Sequence, residues 1–142
     1  MKKKQFILYS ILLIITCAGA YSGWKYKARQ DALKGWKGYE TVSYKIYNTS
    51  YELLVADTAD KQEKGLMNVR EMKEFDGMLF TFPTEEYQTF WNENTFRDLD
   101  IYWIRKGRVI AKDTLPSVEK GGQVIVSSPE RVDTVVEIIR PL

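Results

Sequence analysis

The sequence predicts an all-β domain, an antiparallel sandwich or barrel with one short helical segment, preceded by an N-terminal hydrophobic helix. Three observations carry this. From Tyr39 onward, β-branched and aromatic residues gather in eight short runs separated by turn formers. Within the runs apolar side chains alternate, so that Met78, Phe80 and Phe82 share one face, as do Leu99, Ile101 and Trp103. The first twenty residues have another character: Lys2, Lys3 and Lys4 precede an apolar run from Phe6 to Tyr21 whose polar interruptions are Ser10 and Thr16.

A basic start followed by an apolar run is an export signal. At 16 residues the run is short of the ~20 needed to cross ~30 Å of hydrocarbon, and Trp24 and Tyr26 extend it as interfacial anchors. Residues 1–23 therefore read as a signal-anchor holding the chain to the cytoplasmic membrane through residues 6–23, with the folded part outside the cytoplasm. Ala18-Gly19-Ala20 also offers a small-x-small site; cleavage after Ala20 would release a secreted protein. Cys17, the single cysteine, lies inside this segment, but Thr16 stands where lipidation wants a small residue.

Residues 24–38 read as a juxtamembrane tether, and residues 39–142 as the domain. Charge divides along the same lines: residues 1–20 carry +3, residues 21–38 carry +4 and residues 39–142 carry −5. The basic stretch suits anionic headgroups or is a solvated spacer. The acidic domain has no electrostatic footprint for nucleic acid.

Candidate strands are Glu40–Tyr47, Tyr51–Ala56, Gly77–Phe82, Thr89–Asn92, Leu99–Ile104, Arg108–Leu115, Gln123–Val126 and Val132–Ile139. Asn48-Thr49-Ser50, Lys106-Gly107 and Ser127-Ser128-Pro129 supply turns. One or two helical turns fall between Thr58 and Met72, with Asp57 or Thr58 as cap. Met67 and Met78 read as core filling.

After the hydrophobic segment there is no Cys, and the chain has no His. Ser-His-Asp and Cys-His catalysis, thiol redox chemistry and His-based metal sites are thereby removed. No phosphate loop is present, and no cofactor or metal is expected. Two acids, Asp100 and Glu137, sit inside apolar strands, where a charge is costly unless exposed or paired. Converging on a cleft, they would serve glycoside hydrolysis or bind calcium. Alternation, however, turns Asp100 away from Leu99, Ile101 and Trp103, which favours a solvent-facing or paired role beside Arg97 or Arg140. Trp91-Asn92-Glu93-Asn94-Thr95 sets an aromatic plate beside amide and hydroxyl groups, a surface for stacking a sugar or holding a peptide. Its plainer reading is a core Trp followed by an Asx-type turn.

Several blocks occur in order: Thr58 through Gly65-Leu66-Met67, Asp76-Gly77-Met78-Leu79-Phe80, Phe90-Trp91 with Asn94-Thr95, Leu99-Asp100-Ile101, and Val136-Glu137-Ile138. Over Tyr51 to Ile139 they resemble the prokaryotic family known as domain of unknown function 192. The resemblance implies a jelly-roll-like β-sandwich, often behind a signal peptide or anchor, and no established activity. Where the family usually has Met and a basic residue after the Trp, this chain has Asn92 and Glu93; where it has Pro before Leu-Asp, this chain has Asp98. Its recurrent polar positions match Asn94, Thr95, Asp100 and Glu137, which with Trp91 form the candidate site. The function expected is a non-catalytic binding or envelope-associated module for a cell-envelope glycan, peptide or protein. The alternatives are a hydrolase of envelope glycans using Asp100 and Glu137, and a purely structural accessory domain.

Overall fold

The computed structural model describes residues 21–141. They fall into two compact units that divide after Lys37. In the first, residues 21–33 are helical and continue into a 3-10 turn at Lys34–Trp36. Among the described residues no helix is long and apolar enough to cross a membrane. The apolar run, Cys17 and the Ala20 cleavage site lie outside the described residues, Tyr21 excepted.

The second unit contains eight strands: β1 (Glu40–Ile46), β2 (Thr49–Ala56), β3 (Gly77–Glu86), β4 (Thr89–Trp91), β5 (Leu99–Arg105), β6 (Arg108–Leu115), β7 (Ile125–Ser127) and β8 (Val132–Ile139). Two short helices interrupt them, α1 (Ala59–Lys64) and α2 (Val118–Gly121). Six strands form one sheet in the order β1-β2-β3-β8-β5-β6, and β4 pairs with β7 in a separate ribbon. The β-rich class and the eight strands agree with expectation. The first turn is displaced: β1 and β2 join through Tyr47-Asn48, with Tyr47 at φ 53°, so Thr49 and Ser50 already belong to β2.

The expected antiparallel arrangement needs correction. β2 and β3 run parallel, with Leu53 opposite Gly77 and Ala56 opposite Phe80, so the large sheet is mixed. The physical reason is the connection 57–76, which contains α1: a parallel pair needs a crossover of a dozen residues or more, and here one is available. Thr58 caps α1, its Oγ1 accepting the Lys61 N–H at 3.4 Å. Gly65 ends the helix at φ 46°, a conformation that penalises a side chain.

Register divides the core between the two sheet faces. Met78, Glu137 and Ile101 lie side by side on one face, followed one step on by Phe80, Val135 and Trp103. Phe90 of β4 packs edge-on to Phe80 at 4.9 Å and to Trp103 at 5.7 Å between ring centres, so the small ribbon covers this face. On the other face Leu53, Leu79, Tyr102, Ile104, Val136 and Ile138 form a buried cluster with Ile46, joined by Val42 and Tyr44 of one edge strand and Val109 of the other.

Gly77 lets β3 and β8 meet. A Cβ there would stand 1.8 Å from the Glu137 carbonyl oxygen, inside any permissible contact. Asp76 beside it locks the strand start: its carboxylate accepts the Glu52 N–H at 2.7 Å, and its carbonyl accepts the Ile139 N–H at 2.9 Å.

Candidate functional site

Glu137 reaches the ribbon-covered face because it alternates with Val136 and Ile138 along β8, the central strand of that neighbourhood. It is only 4% exposed, and its Oε2 has no hydrogen-bond partner. Burial pushes its carboxyl up to about 8 from an ordinary 4.5, so the group is neutral at pH 7. A buried polar atom without a partner is uncommon and calls for a reason.

That reason is a cavity. A volume of about 220 Å³ opens against Glu137, walled by Leu66, Met67, Phe80, Phe82, Phe90 and Trp91, with Gln88, Thr89 and Thr95 adding polar edges. The segment after α1 supplies one wall, β4 another, and the sheet the floor. A groove of about 420 Å³ at Asp60, Glu63, Lys64, Met67, Trp91 and Glu93 adjoins the cavity, whose lining also includes Glu63, Lys64, Met67 and Trp91. Among the described residues no group of three or more His, Cys, Asp or Glu is arranged to hold a metal ion.

The five candidates separate. Glu137, Thr95 and Trp91 all line the cavity, with Trp91 43% exposed and available to a ligand. Thr95 is buried; its hydroxyl donates to the Glu93 carbonyl at 3.2 Å. Asn94 is exposed at φ 50°, and its carbonyl accepts the Asn68 N–H at 2.8 Å, which ties the two loops together. Asp100 lies across the sheet from Glu137, because its register partner is Ile138. It pairs with Lys112 at 2.9 Å and Arg140 at 3.8 Å, and Thr114 donates to it at 3.4 Å. Its partner is thus Arg140 together with Lys112, and the sheet does not bring Asp100 and Glu137 to one cleft.

Two supporting residues, Asn92 and Asp98, are not among the five candidates. Asn92 is fully buried and acts as a staple: its amide donates to the Pro116 and Gly122 carbonyls at 2.9 and 2.7 Å, and its Oδ1 accepts the Val124 N–H at 2.7 Å. Asp98 accepts from Lys120 and from the Ser117 N–H, both at 2.8 Å, and these contacts hold its carboxyl below the usual range. Both residues stand where the chain departs from the usual family pattern. They bind the 116–124 segment to the loop that presents Trp91. A polar residue directly after the strand-ending Trp was the available clue.

Residues 42–140 match the model of the DUF192 family, described as Uncharacterized ACR. The chain belongs to this family. A crystal structure from Sinorhizobium meliloti 1021, described as a "putative transcription regulator", is 27% identical, with a TM-score of 0.56 over 71% of this chain and 79% of that one. A protein of unknown function from Novosphingobium aromaticivorans DSM 12444 is 21% identical, with a TM-score of 0.52 over 72% and 83% of the two chains, and shares the fold. No curated protein matches the chain.

Proposed function

We propose that this DUF192 chain is a non-catalytic binding module of the cell envelope, tethered by its N-terminal hydrophobic segment, whose cavity receives a small molecule or the end of a longer one. The observation that carries the reading is the buried, unpartnered Glu137 carboxyl against a cavity that the chain leaves open. A domain built only as scaffold gains nothing from an unsatisfied polar group, whereas a binding site gains a hydrogen-bonding anchor. The 220 Å³ volume lies below the ~300–1,000 Å³ of sites for drug-sized ligands, which favours a small occupant.

Hydrolysis by a pair of carboxylates finds no support, since Asp100 faces away and is already paired. The −5 charge of residues 39–142 speaks against a nucleic-acid partner here.

The test is thermal unfolding of the full chain in lipid nanodiscs, with and without the low-molecular-weight fraction of the source envelope. A ligand present well above its Kd raises Tm, and Trp91→Ala should abolish that rise while leaving the unliganded Tm nearly unchanged. A rise that survives Trp91→Ala would discard the cavity as the site. The tether is tested separately: a reporter fused after Leu142 should be active only outside the cytoplasm.

A further inference from the structure

Resting on the reading of the cavity as a ligand site, we infer that its occupant is a small organic cation, an amine or ammonium group on an apolar body, with the Glu137 carboxylate as its counter-ion. The first observation is the buried Glu137 side chain in the cavity lining, whose Oε2 has no hydrogen-bond partner. A neutral ligand with one hydroxyl would satisfy that oxygen. The surroundings point further.

The approach to the cavity is acidic. Asp60, Glu63 and Glu93 stand around the outer groove, and none of the three forms an ion pair among the described residues. The one cation there, Lys64, has its ammonium 5.5 Å from the centre of the Tyr39 ring. Inside, the walls are aromatic, and aromatic faces attract ammonium ions where water is excluded. An acidic mouth, aromatic walls and a buried acid together select positive charge and reject a carboxylate or phosphate.

Few titratable groups face Glu137. Beside it on this face β3 presents Met78, Phe80 and Phe82 and β5 presents Leu99, Ile101 and Trp103, and Asp113 of β6 is held by the Trp103 indole N–H at 2.6 Å. Glu63 and Lys64 come from α1, while the strand β4 brings none and Glu93 follows it. Empty, the carboxyl keeps its proton, because burial raises its affinity for it. On binding, the carboxyl O–H bond breaks, the proton leaves to solvent, and the ammonium takes its place beside the carboxylate, so charge in the pocket balances. Binding is therefore coupled to release of about one proton below pH 8.

The experiment is isothermal titration calorimetry of the full chain in nanodiscs with three probes of one shape: phenethylammonium, phenylethanol and phenylacetate. Phenethylammonium should bind best, with Kd falling about tenfold per pH unit from pH 6 toward 8 and levelling above. Titrations in phosphate and Tris should show proton release at pH 6.5. Glu137→Gln, which keeps the shape and the neutral charge of the empty site, should weaken phenethylammonium at least tenfold and remove the proton release. Circular dichroism reports whether that variant folds, and Trp91→Ala offers a second, exposed substitution that should also weaken the probe. Equal or tighter binding of phenylethanol or phenylacetate would overturn the cation and leave the cavity reading intact. Binding of none of the three would overturn the inference, and the envelope-fraction Tm test would then judge the cavity on its own.

Discussion

Asp100 and Glu137 sit on neighbouring strands, one step apart in register, and point to opposite faces of one sheet. Asp100 is partly exposed and has two basic partners and a threonine hydroxyl. Glu137 is buried on the ribbon-covered face, and its Oε2 has no partner. Both read alike in sequence, as acids inside apolar strands. The comparison teaches that the cost of a charge in a strand is set by the face it is turned to, and that the face with a cover is where a retained acid points to function.

The largest expected effect tests the contact that sets this register. Gly77→Ala drives a Cβ into the Glu137 carbonyl, so it should cost more than about 5 kcal/mol or yield no folded protein. Denaturant unfolding with an ordinary midpoint would show that β3 and β8 can separate cheaply.

Glu137 itself gives the next effect, and its sign is particular. Its folded pKa of about 8 lies above the ordinary 4.5, so the folded protein keeps a proton that the unfolded chain releases. Stability from this group is full below about pH 4.5 and is lost as pH rises to about 8, a fall on the order of 3–5 kcal/mol. Glu137→Gln should flatten that slope between pH 5 and 8. Parallel stability profiles for the two proteins would mean that the carboxyl is solvated after all.

Asn92→Ala removes three side-chain hydrogen bonds from a buried staple and should cost about 2–3 kcal/mol, measured as a lowered denaturant midpoint. It should also weaken any ligand, because the 116–124 segment braces the Trp91 loop. Asn94 is a smaller case: at φ 50° Ala is strained by about 1 kcal/mol, while Gly is nearly neutral. If Asn94→Gly lost ligand binding at unchanged stability, the side chain rather than the turn would be the functional element. The smallest effect belongs to Asp100→Asn, at about 0.5–1 kcal/mol for two partly exposed ion pairs, with ligand binding unchanged. A large loss of binding there would collapse the distinction between the faces.

Much of this architecture was legible beforehand. Period-2 alternation places Met78, Phe80 and Phe82 on one face of their strand, and Leu99, Ile101 and Trp103 on one face of theirs, without any structure, because each residue in a strand turns through half a revolution. The same rule sets Asp100 opposite Ile101, and the absence of His and of any Cys past residue 17 rules out whole classes of chemistry. A helix cap at Asp57 or Thr58, which the fold places at Thr58, and the Lys106-Gly107 hairpin follow from side-chain geometry that acts over a few residues.

What acts over longer range had to wait for the tertiary structure. Whether β2 and β3 run parallel depends on where the connection 57–76 lands, and alternation is the same for either direction. That Glu137 lies under β4, in a cavity with Trp91 and Thr95, depends on a ribbon docking onto the sheet between residues more than forty positions apart. Local sequence records which way a side chain points. Only the packed fold decides what stands in front of it, because burial, and the proton affinity that follows from it, belong to the assembled surroundings and not to the residue.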